Sequence, residues 1–193
     1  MDPAILAAAV MQLNFAGLHS TSLATTTLLY YILSYENSAA LVEDLRREFS
    51  QSSIDAGTSP RTWASLESMM LLDSVVRESL RCAPIEAVTI NRSIVKAVTT
   101  PDGLHLSPGT RVCIPGFLAN VDERHYANAS TFDPYRFVKS NSGTGREKAW
   151  TVTDNFTTFG NGLHVSSVYH GAIPEHEADE RMLEDLLANS LRL

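Results

Sequence analysis

The chain has 193 residues, 44% of them hydrophobic, and a formal net charge of −7. That length and apolar content suit one domain of moderate size and exclude wholesale disorder. The acidic balance speaks against nucleic acid or an anionic membrane surface as a partner, because both need basic patches.

Residues 2–33 are predicted as one long helix, roughly 45 Å at about 1.5 Å per residue. Pro3 suits a first helical turn. Ala4 to Val10 are helix formers or apolar, and Leu23, Leu28, Leu29, Tyr30, Ile32 and Leu33 spread apolar side chains over several faces. Such a helix is buried or spans a membrane. Gln12, Asn14, His19, Ser20, Thr21 and Ser22 interrupt any apolar run of about 18 residues, so a buried core helix is expected and no membrane segment. Gly17 and His19-Ser20-Thr21 are poor choices for a helix interior. Serine and threonine can bond back to carbonyls a turn earlier and bend the axis. That local conflict marks either a packing notch or a functional position.

A second helix is predicted over 37–50, capped by Asn37 or Ser38, with Leu41, Leu45 and Phe49 at four-residue spacing. Ser50 to Pro60 reads as a loop. A third helix is predicted over 62–81. Its Glu78 and Arg81 are three apart and therefore neighbours on one face. Val88, Ile90, Arg92 and Ile94 alternate with Thr89, Asn91, Ser93 and Val95, as in a strand. Pro101-Asp-Gly103 and Ser107-Pro-Gly-Thr110 are turns, and Val112 and Ile114 begin a second alternation. His105 and His125 lack partner spacing and read as surface residues. Ser140 to Lys148 reads as a flexible loop. Cys82 and Cys113 give no disulfide framework and are expected as reduced, buried thiols. Met1-Asp2-Pro3 has no basic region of the secretory kind, and the glycosylation triplets at Asn91, Asn128 and Asn155 are discounted for that reason. No His-Glu-x-x-His or Gly-x-Ser-x-Gly motif occurs.

Phe159-Gly-Asn-Gly-Leu-His-Val-Ser166 is the stretch around which the rest is organised. Taken alone, Phe159 to Gly162 is a surface turn. Glycines at alternate positions let a backbone turn tightly and approach a flat ligand. The pattern resembles the haem-binding loop of the cytochromes P450, Phe-Gly-x-Gly-x-(Arg/His)-x-Cys-x-Gly. Three further segments are similar to that family's motifs in the same order. Ala16-Gly17-Leu18-His19-Ser20-Thr21 resembles the oxygen-activating motif, with His19 in place of the acid. Glu78-Ser-Leu-Arg81 before Pro84 resembles the Glu-x-x-Arg helix. Arg136, in Phe132-Asp-Pro-Tyr-Arg-Phe137, resembles the arginine that completes a buried Glu-Arg-Arg clamp, for which planar guanidinium groups are suited.

The resemblance implies a mainly helical fold with a small β-sheet, running from the family's long central helix to its haem loop over residues 1–165. It implies catalytic roles for His19, Ser20 and Thr21, and haem (heme) contacts from Phe159, Gly160, Gly162 and His164. Arg92 is either a haem-propionate partner or an exposed strand arginine. Glu78, Arg81 and Arg136 are implied to be structural. The expected activity is fungal-type oxidation of a small apolar molecule in secondary metabolism, with an NADPH-dependent reductase as partner. The chain departs from the pattern at Ser166, where the iron-ligating cysteine belongs, and at Val168. A thiolate donates electron density to the iron; a serine hydroxyl is far more basic, so no metal ligand is assigned. Residues 166–193, with six acids and two bases, form a divergent acidic tail. The expected product is a truncated, inactive half-domain without the family's endoplasmic reticulum anchor, cytoplasmic as it stands. The alternative is a non-catalytic remnant or interaction protein without haem.

Overall fold

The computed structural model describes residues 2–55, 63–140 and 148–161. Helix α1 (Pro3–Ser34) is followed by α2 (Ser38–Asp55), α3 (Trp63–Ser68) and α4 (Met70–Cys82). Then come strands β1 (Thr89–Ser93), β2 (Val98–Thr99), β3 (His105–Leu106) and β4 (Arg111–Ile114), and the short helices α5 (Gly116–Asn120) and α6 (Arg136–Ser140). The fold is mainly helical with a small antiparallel β component, as expected. That component is two two-stranded ladders, β1 with β4 and β2 with β3. Gly103 and Gly109 take φ of 88° and 85° at the two predicted turns, a conformation open to glycine without strain. His105 is not isolated: its Nδ1 lies 3.2 Å from the Thr99 hydroxyl across the β2–β3 hairpin.

Helix α1 starts where Asp2 accepts a hydrogen bond from the Ala4 amide and Pro3 fills the first turn. It runs without a break through Gly17 and His19-Ser20-Thr21. The expected burial is not found. Only Ile32 is buried, while Met11, Phe15 and Leu18 are 73%, 68% and 66% exposed. Contact with the core comes from the C-terminal part of the helix. Ile32 joins Leu41, Leu71 and Val75 in the buried cluster, flanked by Leu28, Tyr35 and Phe132. Tyr31 stacks on Phe132 with centroids 4.8 Å apart. Nothing lies within 4 Å of a Cβ built on Gly17, so no neighbour fills a notch there among the described residues. By length and composition α1 could cross a membrane; its hydroxyls at positions 20, 25, 26 and 34 all donate back to carbonyls four residues earlier.

The predicted helix over 62–81 is two helices. Met69, almost wholly buried, is extended (φ −77°, ψ 95°) between α3 and α4. The Glu48 carboxylate, from α2, accepts hydrogen bonds from the amides of Leu71 and Leu72 at 2.6 and 2.9 Å. It satisfies donors that a helix start leaves orphaned, and its charge suits the positive end of the dipole. Helix α2 also runs past the expected boundary, to Asp55, where Ser52 is buried and its hydroxyl meets that of Ser65 at 3.2 Å. The thiols differ from expectation: Cys82 is half-buried and Cys113 exposed, because β4 is an edge strand of a two-stranded ladder.

Candidate functional site

A cavity of about 550 Å³ lies between the middle of α1, α4, β1 and the loop at 158–161. That volume falls inside the roughly 300–1,000 Å³ range of small-molecule sites. Each wall has a local cause. Helix α1 presents Ser20, Thr21, Ala24 and Thr25, within two turns of helix. The Ser20 hydroxyl is turned back onto the Ala16 carbonyl. Helix α4 adds the apolar Val76 and Leu80, and the segment leaving it adds Ile85 and Glu86.

Strand β1 forms the facing wall with Thr89, Ile90, Asn91 and Arg92. Its ladder with β4 shifts register between Thr89 and Arg92. Ile90 sits at φ 53°, a left-handed conformation that a β-branched residue adopts only under strain. With the bulge, four consecutive residues of one strand line the same space, where a regular pleat would send alternate side chains to opposite faces. The floor is the loop Thr158–Asn161. Gly160, at φ 88°, closes a turn by donating from its amide to the Thr157 carbonyl at 2.9 Å. The Arg92 guanidinium, exposed at the rim, donates to the carbonyls of Asn91 at 2.9 Å and Asn161 at 3.3 Å. Thr89 and Thr157, both buried, join their hydroxyls at 3.2 Å and tie strand to loop. The Thr158 hydroxyl is buried without a hydrogen-bond partner among the described residues.

The structure therefore brings Ser20, Thr21, Arg92, Phe159 and Gly160 to one cavity. His19 is not on its wall; its exposed ring packs on Phe15 at 4.7 Å. Gly162, His164, Ser166 and the tail lie outside the described residues. Glu86, Thr89 and Thr158 had no site signal in the sequence, because the segment leaving α4, a strand bulge and a loop turn place them there.

Glu78, Arg81 and Arg136 form a closed cluster behind the cavity. The Glu78 and Arg81 side chains have no exposure and that of Arg136 has 13%. Arg81 forks onto both Glu78 oxygens at 2.8 Å, and Arg136 Nε reaches the same oxygens at 3.0 and 3.1 Å. The spare donors of both arginines go to main-chain carbonyls: Asn120 and Ala129 for Arg81 at 2.6 and 2.7 Å, Ala127 and Thr131 for Arg136 at 2.6 and 3.0 Å. Burial pulls the Arg81 pKa down, but the hydrogen bond and charge of Glu78 outweigh it and the net direction is up. Arg77, unmarked in the sequence, is buried beside this cluster. Its guanidinium lies over the Phe156 ring at 4.0 Å and donates to the Lys148 and Thr151 carbonyls at 3.0 and 2.6 Å.

The cavity wall offers hydroxyls, amides, one carboxylate and one guanidinium, with no thiol or imidazole among the described residues. Cys82, held between Glu78 and Arg81, has its thiol pushed up to about 11 by burial and by the Glu78 charge, and Cys113 is exposed on β4. Among the described residues this donor set does not fit an iron held by a thiolate, and the sequence has Ser166 where the resembled pattern has cysteine. No group of three or more metal-ligating side chains occurs among the described residues.

The family model described as Cytochrome P450 matches residues 1–165. Cytochrome P450 monooxygenase 71 of Postia placenta is 30% identical over 176 residues, covering 90% of this chain and 34% of that protein. Cytochrome P450 monooxygenase calE of Penicillium decumbens is 31% identical over 162 residues, covering 81% of this chain and 30% of its own length. The chain thus spans about a third of the curated relatives it matches. Among solved structures, a zebra fish cytochrome P450 determined with progesterone superposes with a TM-score of 0.63 at 22% identity. It covers 79% of this chain, which spans 32% of that protein.

Proposed function

The chain belongs to the cytochrome P450 family, and from that premise we propose that its cavity binds a small, largely apolar molecule and that the chain does not oxidise it unaided. The family uses haem, small substrates and a reductase. For the family fold, of which the chain spans about a third in its relatives, the reading is haem-dependent monooxygenation in fungal secondary metabolism. The observation that carries the second half of the proposal is Ser166, which stands in the loop where the family pattern has cysteine. The cavity itself supports the first half, through the apolar Ala24, Val76, Leu80, Ile85, Ile90 and Phe159 on its walls.

A titration with haem, followed by reduction under carbon monoxide, tests it. The long-wavelength Soret band of a thiolate complex should be absent from the native chain and gained by Ser166→Cys. A clear band from the native chain would mean that another cysteine reaches the iron, and the reading would fall. A second reading, association without catalysis, is favoured by the exposed apolar surface of α1.

A further inference from the structure

Selection for an apolar ligand leaves one wall residue without a use. Glu86 lies on the cavity between Ile85 and the β1 wall, is exposed, and makes no hydrogen bond or ion pair among the described residues. Arg92, the only other charge on the wall among the described residues, is turned to the carbonyls of Asn91 and Asn161. The rest of the polar lining consists of hydroxyls and amides. Among the described residues, the cavity therefore holds a carboxylate that its own walls do not neutralise.

We propose that Glu86 selects, for this cavity, a ligand whose apolar body carries a protonated amine. A ligand seated against the wall strips water from the carboxylate, which is costly unless a partner replaces that water. A neutral apolar ligand leaves the charge unpaired. An ammonium group replaces the water with a charge-assisted hydrogen bond, about twice as strong as a neutral one. The same side chain thus favours the amine and disfavours its neutral isostere, and selectivity draws on both. The inference rests on the reading of the cavity as a ligand site and narrows its ligand from apolar to cationic amphiphilic.

Isothermal titration of the full chain with octylammonium, 1-octanol and octanoate tests it. Octylammonium should bind at least about tenfold more tightly than octanol, the ratio that roughly 1.4 kcal/mol supplies. Glu86→Gln should cut that preference below about threefold. Glu43→Gln, at an exposed acid of α2 away from the cavity, should leave it unchanged. Ala24→Trp, which fills the wall, should weaken both probes. Equal affinities that Ala24→Trp weakens together would overturn amine selection and leave the cavity reading standing. A preference for octanoate would assign selection to Arg92 and overturn the proposal, as would an ammonium preference that survives Glu86→Gln. Binding insensitive to Ala24→Trp would overturn the cavity reading and the proposal with it.

Discussion

Glu78→Ala is expected to lower the unfolding free energy by roughly 3–5 kcal/mol, the cost of breaking a buried ion pair from one side. The magnitude follows from what the carboxylate holds. It accepts two bonds from Arg81, two from Arg136 Nε, and one from the Asp133 amide at 3.0 Å. Without it, Arg81 keeps its bonds to the Asn120 and Ala129 carbonyls. Its guanidinium therefore stays buried without its anion, and the downward pull of burial on its pKa loses its main counterweight. Arg136→Ala should cost less, about 2–3 kcal/mol, because that side chain is partly exposed and Glu78 keeps Arg81, but the Ala127 carbonyl loses this donor and the Thr131 carbonyl is left with Arg81 Nη2 at 3.3 Å. The double variant should be little worse than Glu78→Ala, since Arg136 has already lost its anion; coupled partners depart from additivity by about 0.5–3 kcal/mol. Urea denaturation at unchanged slope is the assay. By melting, Glu78→Ala corresponds to a fall of about 6–20 °C for a chain of this size. Glu78→Gln keeps the shape and one acceptor, and should fall between native and alanine. Two effects each under about 1 kcal/mol, and additive, would refute a clamp and leave a solvated pair.

Gly116→Ala should destabilise by about 1–3 kcal/mol, the usual cost of overpacking. Its Cβ would fall 2.8 Å from Thr89 Oγ1 and 3.2 Å from Thr157 Oγ1, so weaker octylammonium binding should accompany it; a neutral variant would remove the strand-to-loop tie from the account of the cavity. Cys82 titrates at about 11 in the fold, above the ordinary thiol value near ~8.5. Its contribution is present below the unfolded pKa and lost as pH rises through the folded one, so stability should fall between about pH 9 and 11. Cys82→Ser should flatten that part of the pH profile, and iodoacetamide at neutral pH should modify Cys113 well before Cys82. The reverse order of alkylation would contradict the burial of Cys82. Met11→Glu, Phe15→Glu and Leu18→Glu together should reduce binding of a hydrophobic dye and self-association; an unchanged triple variant would show that α1 is not the exposed surface responsible.

What the sequence made legible was carried by local spacing. Glu78 and Arg81 share a helix face by their three-residue interval, and Arg136 follows a Phe-Asp-Pro-Tyr run whose Asp133 amide joins the same carboxylate. The hairpins were written in Pro101-Asp-Gly103 and Ser107-Pro-Gly109, where only glycine takes the required φ without strain. The break at Met69 was not legible, because its cause is Glu48, more than 20 residues earlier, reaching across to cap α4. Nor was Glu86. Its position on the cavity depends on the end of α4 and on a bulge in β1, and neither leaves a pattern in the residues around it. Ile90 in the left-handed region is the sharpest case: isoleucine favours regular strand, and tertiary contacts override that preference here.

The long helix shows why composition fixes a requirement without fixing what meets it. An all-round apolar helix needs cover, and that is as far as Ala4 to Leu33 can be read. In the fold the helix has two regimes. From about residue 28 onward it is held by Phe132, Leu41 and Val75; before residue 20 its large apolar side chains are exposed. The residues it gives to the cavity, Ser20 to Thr25, lie at the passage between the two. Their hydroxyls at 20 and 25 are bonded within the helix, so this wall presents its Ala24 methyl and the Thr21 side chain to the cavity rather than a ring of free donors. The selectivity of the site therefore falls to the opposite wall, where Glu86 and Arg92 carry the charge. That wall is fixed by the bulged β1–β4 ladder and by the Thr89–Thr157 contact, both independent of whatever covers the first half of α1.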